Sequence, residues 1–172
     1  MMHHSDFVSM VAKIYKPKLY LELGLYQGET WRKVVPHCEQ AIGVDVVDRG
    51  FSGGEIHIKT TDSFFNTFDR QVDMAFIDAD HCFESVLKDF HNVSTRLREG
   101  GVIIVHDTDP ESDSLFDKGY CGDAYRVVAW LESHEEYNAV TLPVAEAGLT
   151  IATKKNSSRT LRRHYVEDKK RK

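Results

Sequence analysis

Two short stretches of this 172-residue chain gather acids and histidines at spacings that could do chemistry. One is Asp78-Ala79-Asp80-His81, directly after an apolar run; the other is His106-Asp107-Thr108-Asp109, directly after another. Carboxylates that converge from neighbouring strand ends repel one another unless a cation or a shared proton compensates them. A divalent metal is one resolution, and proton transfer is another. Asp80, His81 and His106 are the candidate bases, with Asp80 or His81 first. Structural readings compete for each histidine, since His81 could cap the helix that follows and His106 could be a hydrogen-bonded histidine at a strand end.

A third stretch, Glu22-Leu23-Gly24-Leu25-Tyr26-Gln27-Gly28-Glu29-Thr30, sets two glycines four apart ahead of a helical segment. Such a turn permits a close backbone approach to a ligand. It lacks the third glycine of the dinucleotide fingerprint. Glu22 would repel a diphosphate but could orient a cationic or zwitterionic group. Asp45 ends the next apolar run ~20 residues on, where an acid can accept both hydroxyls of a ribose. An ordinary strand–helix turn with a surface Asp is the alternative.

The elements that must position these residues alternate. Leu19–Leu23, Ala41–Asp45, Glu55–Lys59, Met74–Asp78 and Val102–His106 read as strands, and the continuous apolar runs suit a parallel sheet covered on both faces. Helical spacing appears near Phe7, Val8, Val11 and Ile14, with Ser5 as the expected cap, and again over Phe83, Val86, Leu87, Phe90, Val93 and Leu97. Gly100-Gly101 is expected to end that second helix. A further helix carries Ala124, Val127, Val128 and Leu131, and Tyr137–Leu142 with Leu149–Thr153 reads as an antiparallel pair around Gly148. Strand–helix alternation predicts an α/β doubly wound sheet, whose ligands sit at the carboxyl ends of the strands.

Composition sets the outer limits. With 41% hydrophobic and 28% charged residues the chain is expected to form one globular domain over residues 1–153. Residues 154–172 carry nine Lys/Arg against two acids and read as a solvated basic tail; thirteen bases then face twenty-five acids in the rest. So acidic a body argues against nucleic acid as a partner. No leader or run of ~20 apolar residues is visible, which leaves a cytoplasmic setting as the expectation and no membrane contact. Cys38, Cys82 and Cys121 form no CxxC pair and are expected as reduced thiols. Trp31 and Trp130 read as packing residues, and Thr108–Gly122 has the composition of a mobile active-site loop.

Glu22-x-Gly24-x-x-x-Gly28 with Gly43-Val44-Asp45 resembles motif I and the ribose-binding acid of class I S-adenosylmethionine-dependent methyltransferases. Asp78-Ala79-Asp80-His81-Cys82-Phe83-Glu84, then Asp89, Leu97, Gly100-Gly101 and His106-Asp107, is similar to the small-molecule O-methyltransferase branch of that family, over roughly residues 18–153. The resemblance implies a Rossmann-like, seven-stranded sheet, mostly parallel with a reversed final strand, which agrees with the terminal pair inferred above. It implies S-adenosyl-L-methionine as cofactor, framed by Glu22, Gly24, Gly28 and Asp78, with Asp45 on the ribose and Asp62 beside the adenine. Asp62 could equally cap a helix starting at Ser63. In metal-dependent relatives the acids matching Asp78 and Asp107 hold Mg²⁺, usually followed by Asn or Asp; Thr108 stands there in this chain, and Asp109 lies one residue further on.

The expected activity is methyl transfer to a small molecule, at a hydroxyl oxygen. A nicotinamide-dependent oxidoreductase and a non-catalytic adenosyl-ligand-binding module remain as alternatives. The chain carries no large lid, so a second copy in a homo-oligomer could complete an open site.

Overall fold

A computed structural model describes residues 2–117 and 119–155. Within them strands and helices alternate, except that β3 follows β2 and β7 follows β6 directly. Helix α1 (His4–Tyr15) precedes β1 (Leu19–Leu23), α2 (Glu29–Val34), β2 (Gln40–Asp45), β3 (Glu55–Ile58) and α3 (Thr61–Phe65). Then come β4 (Val72–Ile77), α4 (Phe83–Arg96), β5 (Leu97–His106), α5 (Arg126–Ser133), β6 (Tyr137–Leu142) and β7 (Leu149–Lys154). One seven-stranded sheet results, in the order β3-β2-β1-β4-β5-β7-β6. The strands β1 to β5 run parallel, and β7 is antiparallel to both β5 and β6. The doubly wound, Rossmann-like sheet with a reversed final strand is therefore present as expected.

Side-chain alternation divides the core into two layers. Leu19, Leu21, Leu23, Ala75 and Ile77 pack toward α3, α4 and α5, with Val86, Phe90 and Val127. Tyr20, Met74 and Phe76 face the other way, onto Val8 and Ala12 of α1 and Trp31 and Val34 of α2. Strand order reverses at β1, which pairs with β2 on one side and β4 on the other. Leu23 is level with Val44 and Ile77, and Ile77 with Val105. The residues that follow these positions thus emerge side by side, at the topological switch point where such sheets bind ligands.

Three local expectations are corrected. Ser5 does not cap α1: His3 does, its ring accepting from the Ser5 N–H, while Ser5 is buried inside the first turn. Gly100-Gly101 does not end α4, because the chain is already extended at Leu97, which stays buried and pairs with Val72. Gly100 instead takes φ +78 within β5, beside a register shift opposite Val72 and Met74, so the glycines mark a strand irregularity. Asp62 does not cap α3; Thr60 does, accepting from the Ser63 N–H. At the far end β7 extends through Lys154, and the Lys155 N–H bonds the Glu136 carbonyl, so the sheet takes the first basic residues. The remainder of the basic segment lies outside the described residues. Among the described residues no helix is long and apolar enough to cross a membrane.

Candidate active site

The turn after β1 is shaped by backbone. Gly24 (φ +83), Tyr26 (φ +48) and Gly28 (φ +71) all lie in the left-handed region. A Cβ on Gly24 would stand 2.1 Å from the Asp78 carbonyl oxygen, so bare backbone lets the turn lie flat on the end of β4. Asp45 holds the turn from the other side: Oδ2 accepts from the Leu25 N–H (2.8 Å) and the Tyr26 N–H (2.9 Å), and Oδ1 from the Val47 N–H (2.8 Å). A carboxylate has about four acceptor positions. One on Oδ1 therefore stays available, beside the exposed side chains of Val46 and Val47.

Glu22 lies beneath the turn, 1% exposed, and accepts from the Tyr20 hydroxyl at 2.7 Å. Burial pushes its carboxyl up to about 8, a rise that the Tyr20 hydrogen bond only partly offsets. A backbone hydrogen bond from Trp31 ties it to α2.

The second half of the site comes from β4 and β5. The Asp78 N–H bonds the Leu23 carbonyl at 2.8 Å, carrying on the pairing of the sheet. His106 Nδ1 lies 3.0 Å from Asp78 Oδ1 and 3.3 Å from Asp107 Oδ1. His81 Nε2 is 3.2 Å from Asp107 Oδ2 and 3.8 Å from Asp78 Oδ1. Asp107 takes φ +62, an uncommon conformation for a non-glycine residue and one that clusters at functional sites. Burial alone would pull the His106 imidazole down, but Asp78 and Asp107 outweigh it and raise it to about 10. Burial likewise works against the Asp107 carboxylate, yet His106 and His81 hold it below the usual range. His106 Nε2 is buried with no hydrogen-bond partner.

Not every expected residue joins this cluster. Asp80 is exposed and its Oδ1 accepts from the Cys82 N–H (3.2 Å), so it shapes the turn into α4. His81 does not cap α4; the first helical N–H, that of Phe83, is taken by Asp123 Oδ1 at 2.7 Å. Asp109 is held away, its N–H on the Ala147 carbonyl and its Cβ under Gly148. The Thr108 hydroxyl accepts from Thr150 Oγ1 at 2.8 Å and is turned into the protein. Asp62 is exposed beyond β3 and pairs with Lys88 at 2.6 Å. Cys121 is buried, its thiol pushed up to about 12 by burial and by Asp107, so it offers no thiolate. Trp31 is buried in the core and Trp130 packs on Phe90. In the stretch that begins at Thr108, the Asp109 and Glu111 N–H groups bond the Ala147 and Glu146 carbonyls of the β6–β7 turn.

One participant goes unnoticed in the sequence. His4, at the start of α1, lays its ring 4.2 Å from that of His106 and 6.2 Å from that of Phe76. Burial, then the neighbouring His106, pulls its imidazole down to about 4. The signal was present, since His4 stands one turn before Val8 and two before Ala12, on the buried stripe of α1. Beside the cluster, a groove of about 630 Å³ runs between Phe83, Thr108, Tyr125, Arg126 and Trp130.

Residues 21–108 match the sequence profile of the family described as "Methyltransferase domain". No curated protein matches the chain. Several solved structures share its fold. The O-methyltransferase of Bacillus cereus in complex with SAH superposes with a TM-score of 0.71 at 16% identity, covering 88% of this chain and 80% of that one. The O-methyltransferase TomG of Streptomyces achromogenes, in complex with SAM, gives 0.68 at 17% identity over 89% and 80%. An SAH-bound methyltransferase of Podospora anserina gives 0.69 at 17% over 89% and 78%.

Proposed function

The chain belongs to the methyltransferase domain family, and on that premise we propose that it transfers the methyl group of S-adenosylmethionine to a hydroxyl oxygen of a small molecule. The observation that carries this reading is the register of β1, β2, β4 and β5, which sets the glycine turn, Asp45 and the Asp78–His81–His106–Asp107 cluster around one crevice. The donor set fits the cofactor: a carboxylate with a free acceptor position stands by an apolar surface, next to a turn stripped to backbone. When bound, the cofactor supplies a methyl group already activated by its sulfonium.

The residues then divide the work. Asp45 Oδ1 accepts from a ribose hydroxyl, while its Oδ2 keeps the Leu25 and Tyr26 amides in place. Gly24 and Gly28 let the turn approach the methionine part, and Glu22 ties the end of β1 to α2. Asp78, at the centre of the crevice, offers negative charge toward the sulfonium and amino group. Asp62 marks the adenine end, with Lys88 as its counter-charge. The acceptor lies in the groove by Phe83 and Tyr125.

Among the three candidate bases, geometry favours His81. Its side chain is 31% exposed and its Nε2 faces Asp107 Oδ2, so Nδ1 is left to take the hydroxyl proton. His106 is held protonated by two carboxylates, and Asp80 is engaged in its turn. In-line displacement then depends mainly on alignment. The oxygens expected to hold Mg²⁺ face imidazoles instead, Asp78 Oδ1 and Asp107 Oδ1 toward His106 and Asp107 Oδ2 toward His81, while the Thr108 hydroxyl accepts from Thr150. No step is routed through an ion.

Calorimetric titration with S-adenosylhomocysteine and with NAD tests the reading. Binding of S-adenosylhomocysteine alone is expected; binding of NAD alone would replace the methyltransferase by an oxidoreductase.

A further inference from the structure

We infer that the imidazoles of His106 and His81 occupy the place of a divalent ion, so that Asp78 and Asp107 serve these histidines rather than a metal. The ligand atoms of Asp78, His81 and Asp107 lie within 4.8 Å of one another, a spacing an ion could exploit. The space between the acids is already taken by imidazole nitrogens. Asp78 Oδ1 and Asp107 Oδ1 both face His106 Nδ1, at 3.0 and 3.3 Å, and Asp107 Oδ2 faces His81 Nε2 at 3.2 Å. Mg²⁺ asks for hard oxygen donors at about 2.1 Å in octahedral array. The next oxygen along the chain, that of Thr108, is buried and sits in a hydroxyl chain with Thr150 and Thr141, each link 2.8 Å.

His106 is also locked where it stands. Its side chain is 12% exposed. One side is covered by the His4 ring at 4.2 Å, and Phe76 lies at 6.1 Å. Helix α1, which carries His4, is fastened to α2 by Lys33 Nζ, which reaches Asp6 Oδ1 (2.7 Å) and Ser5 Oγ (2.8 Å). The cover over His106 thus comes from α1, ahead of the residues matched by the family profile. An ion placed between the two Oδ1 atoms would displace His106 Nδ1 from a position that His4 closes over.

This inference rests on the methyltransferase reading for the purpose of the site, but the place of the histidines rests on geometry alone. Both are therefore read on the same full-length protein: S-adenosylhomocysteine binding by calorimetry, and Mn²⁺ binding by electron paramagnetic resonance at millimolar ion. The wild type should bind S-adenosylhomocysteine equally with and without chelator and should leave Mn²⁺ free. His106→Ala should gain a Mn²⁺ site, which the double variant His106→Ala/Asp78→Asn should lose again. Stoichiometric Mn²⁺ on the wild type, abolished by Asp78→Asn, would overturn the inference. So would a folded His106→Ala protein that binds S-adenosylhomocysteine yet takes up no more Mn²⁺ than the wild type. Loss of S-adenosylhomocysteine binding by the wild type would strike the cofactor reading instead, leaving the Mn²⁺ result to be judged separately.

Discussion

The two sides of the crevice are built from different materials. On the β1–β2 side, backbone conformation and one carboxylate do nearly everything: Gly24 and Gly28 in the left-handed region, and Asp45 collecting the Leu25, Tyr26 and Val47 amides. On the β4–β5 side, side chains from separate elements meet: His4 from α1, Asp78 after β4, His81 before α4, and His106 with Asp107 at the end of β5. The first side is preorganised and tolerates little change of shape. The second is a set of charges whose effects depend on which proton sits where. Binding should therefore track the first side and the methyl-transfer rate the second.

The largest separation should come from His81→Gln. Removal of a positioned base costs roughly 10²- to 10⁴-fold in turnover, whereas S-adenosylhomocysteine affinity should stay within about twofold, since the polar contacts of the ring are to Asp107 and Asp78. Stopped turnover with intact binding, measured by methyl release and by calorimetry, keeps the two sides distinct; equal loss of both merges them. Gly24→Ala should do the reverse. Its Cβ would overlap the Asp78 carbonyl at 2.1 Å and its φ of +83 suits only glycine. Strain of about 1–3 kcal/mol, with the overlap added, should remove measurable cofactor binding and lower the melting temperature.

Asp45→Ala should weaken S-adenosylhomocysteine by roughly 10- to 100-fold, in line with about 1.5–3 kcal/mol for a hydrogen bond to a charged group. Unchanged affinity would place the ribose elsewhere. A smaller effect concerns Glu22 and pH. Its folded-state value is raised from 4.5 to about 8, so the folded protein holds that proton more tightly than the unfolded chain does. The stability it contributes is complete below 4.5 and is lost as pH rises through about 8. Thermal unfolding of Glu22→Gln should lack that decline, and an identical profile would remove Glu22 from the account. Asp80→Asn should change least, within about twofold in binding and in rate, because a side-chain oxygen still reaches the Cys82 N–H.

Legibility in the sequence followed the same division. The strands, the glycine turn and Asp45 were readable because apolar runs and glycine spacing are local signals, and sheet register then brings them together. The reversed strand pair was readable from Gly148 between two alternating runs. Asp78, His81, His106 and Asp107 were readable as residues, but not which of them would face one another. Asp80 differs from His81 by one position and points into its own turn. Asp123, which takes the α4 N–H expected of His81, comes from a loop forty residues away in sequence. His4 was hidden for a related reason: its place depends on how α1 lies across Phe76 and His106, which no local pattern states. Gly100-Gly101 misled because glycine ends helices and kinks strands alike, and burial of Leu97 decided between them.

A crystal structure of the complex with S-adenosylhomocysteine would show the ribose and the sulfur at once. A ribose hydroxyl is expected on Asp45 Oδ1, with the Leu25 and Tyr26 amides still on Oδ2 and the sulfur facing His81 across the end of β4. A ligand bound away from the Gly24–Gly28 turn, or a ribose that leaves Asp45 untouched, would contradict this placement.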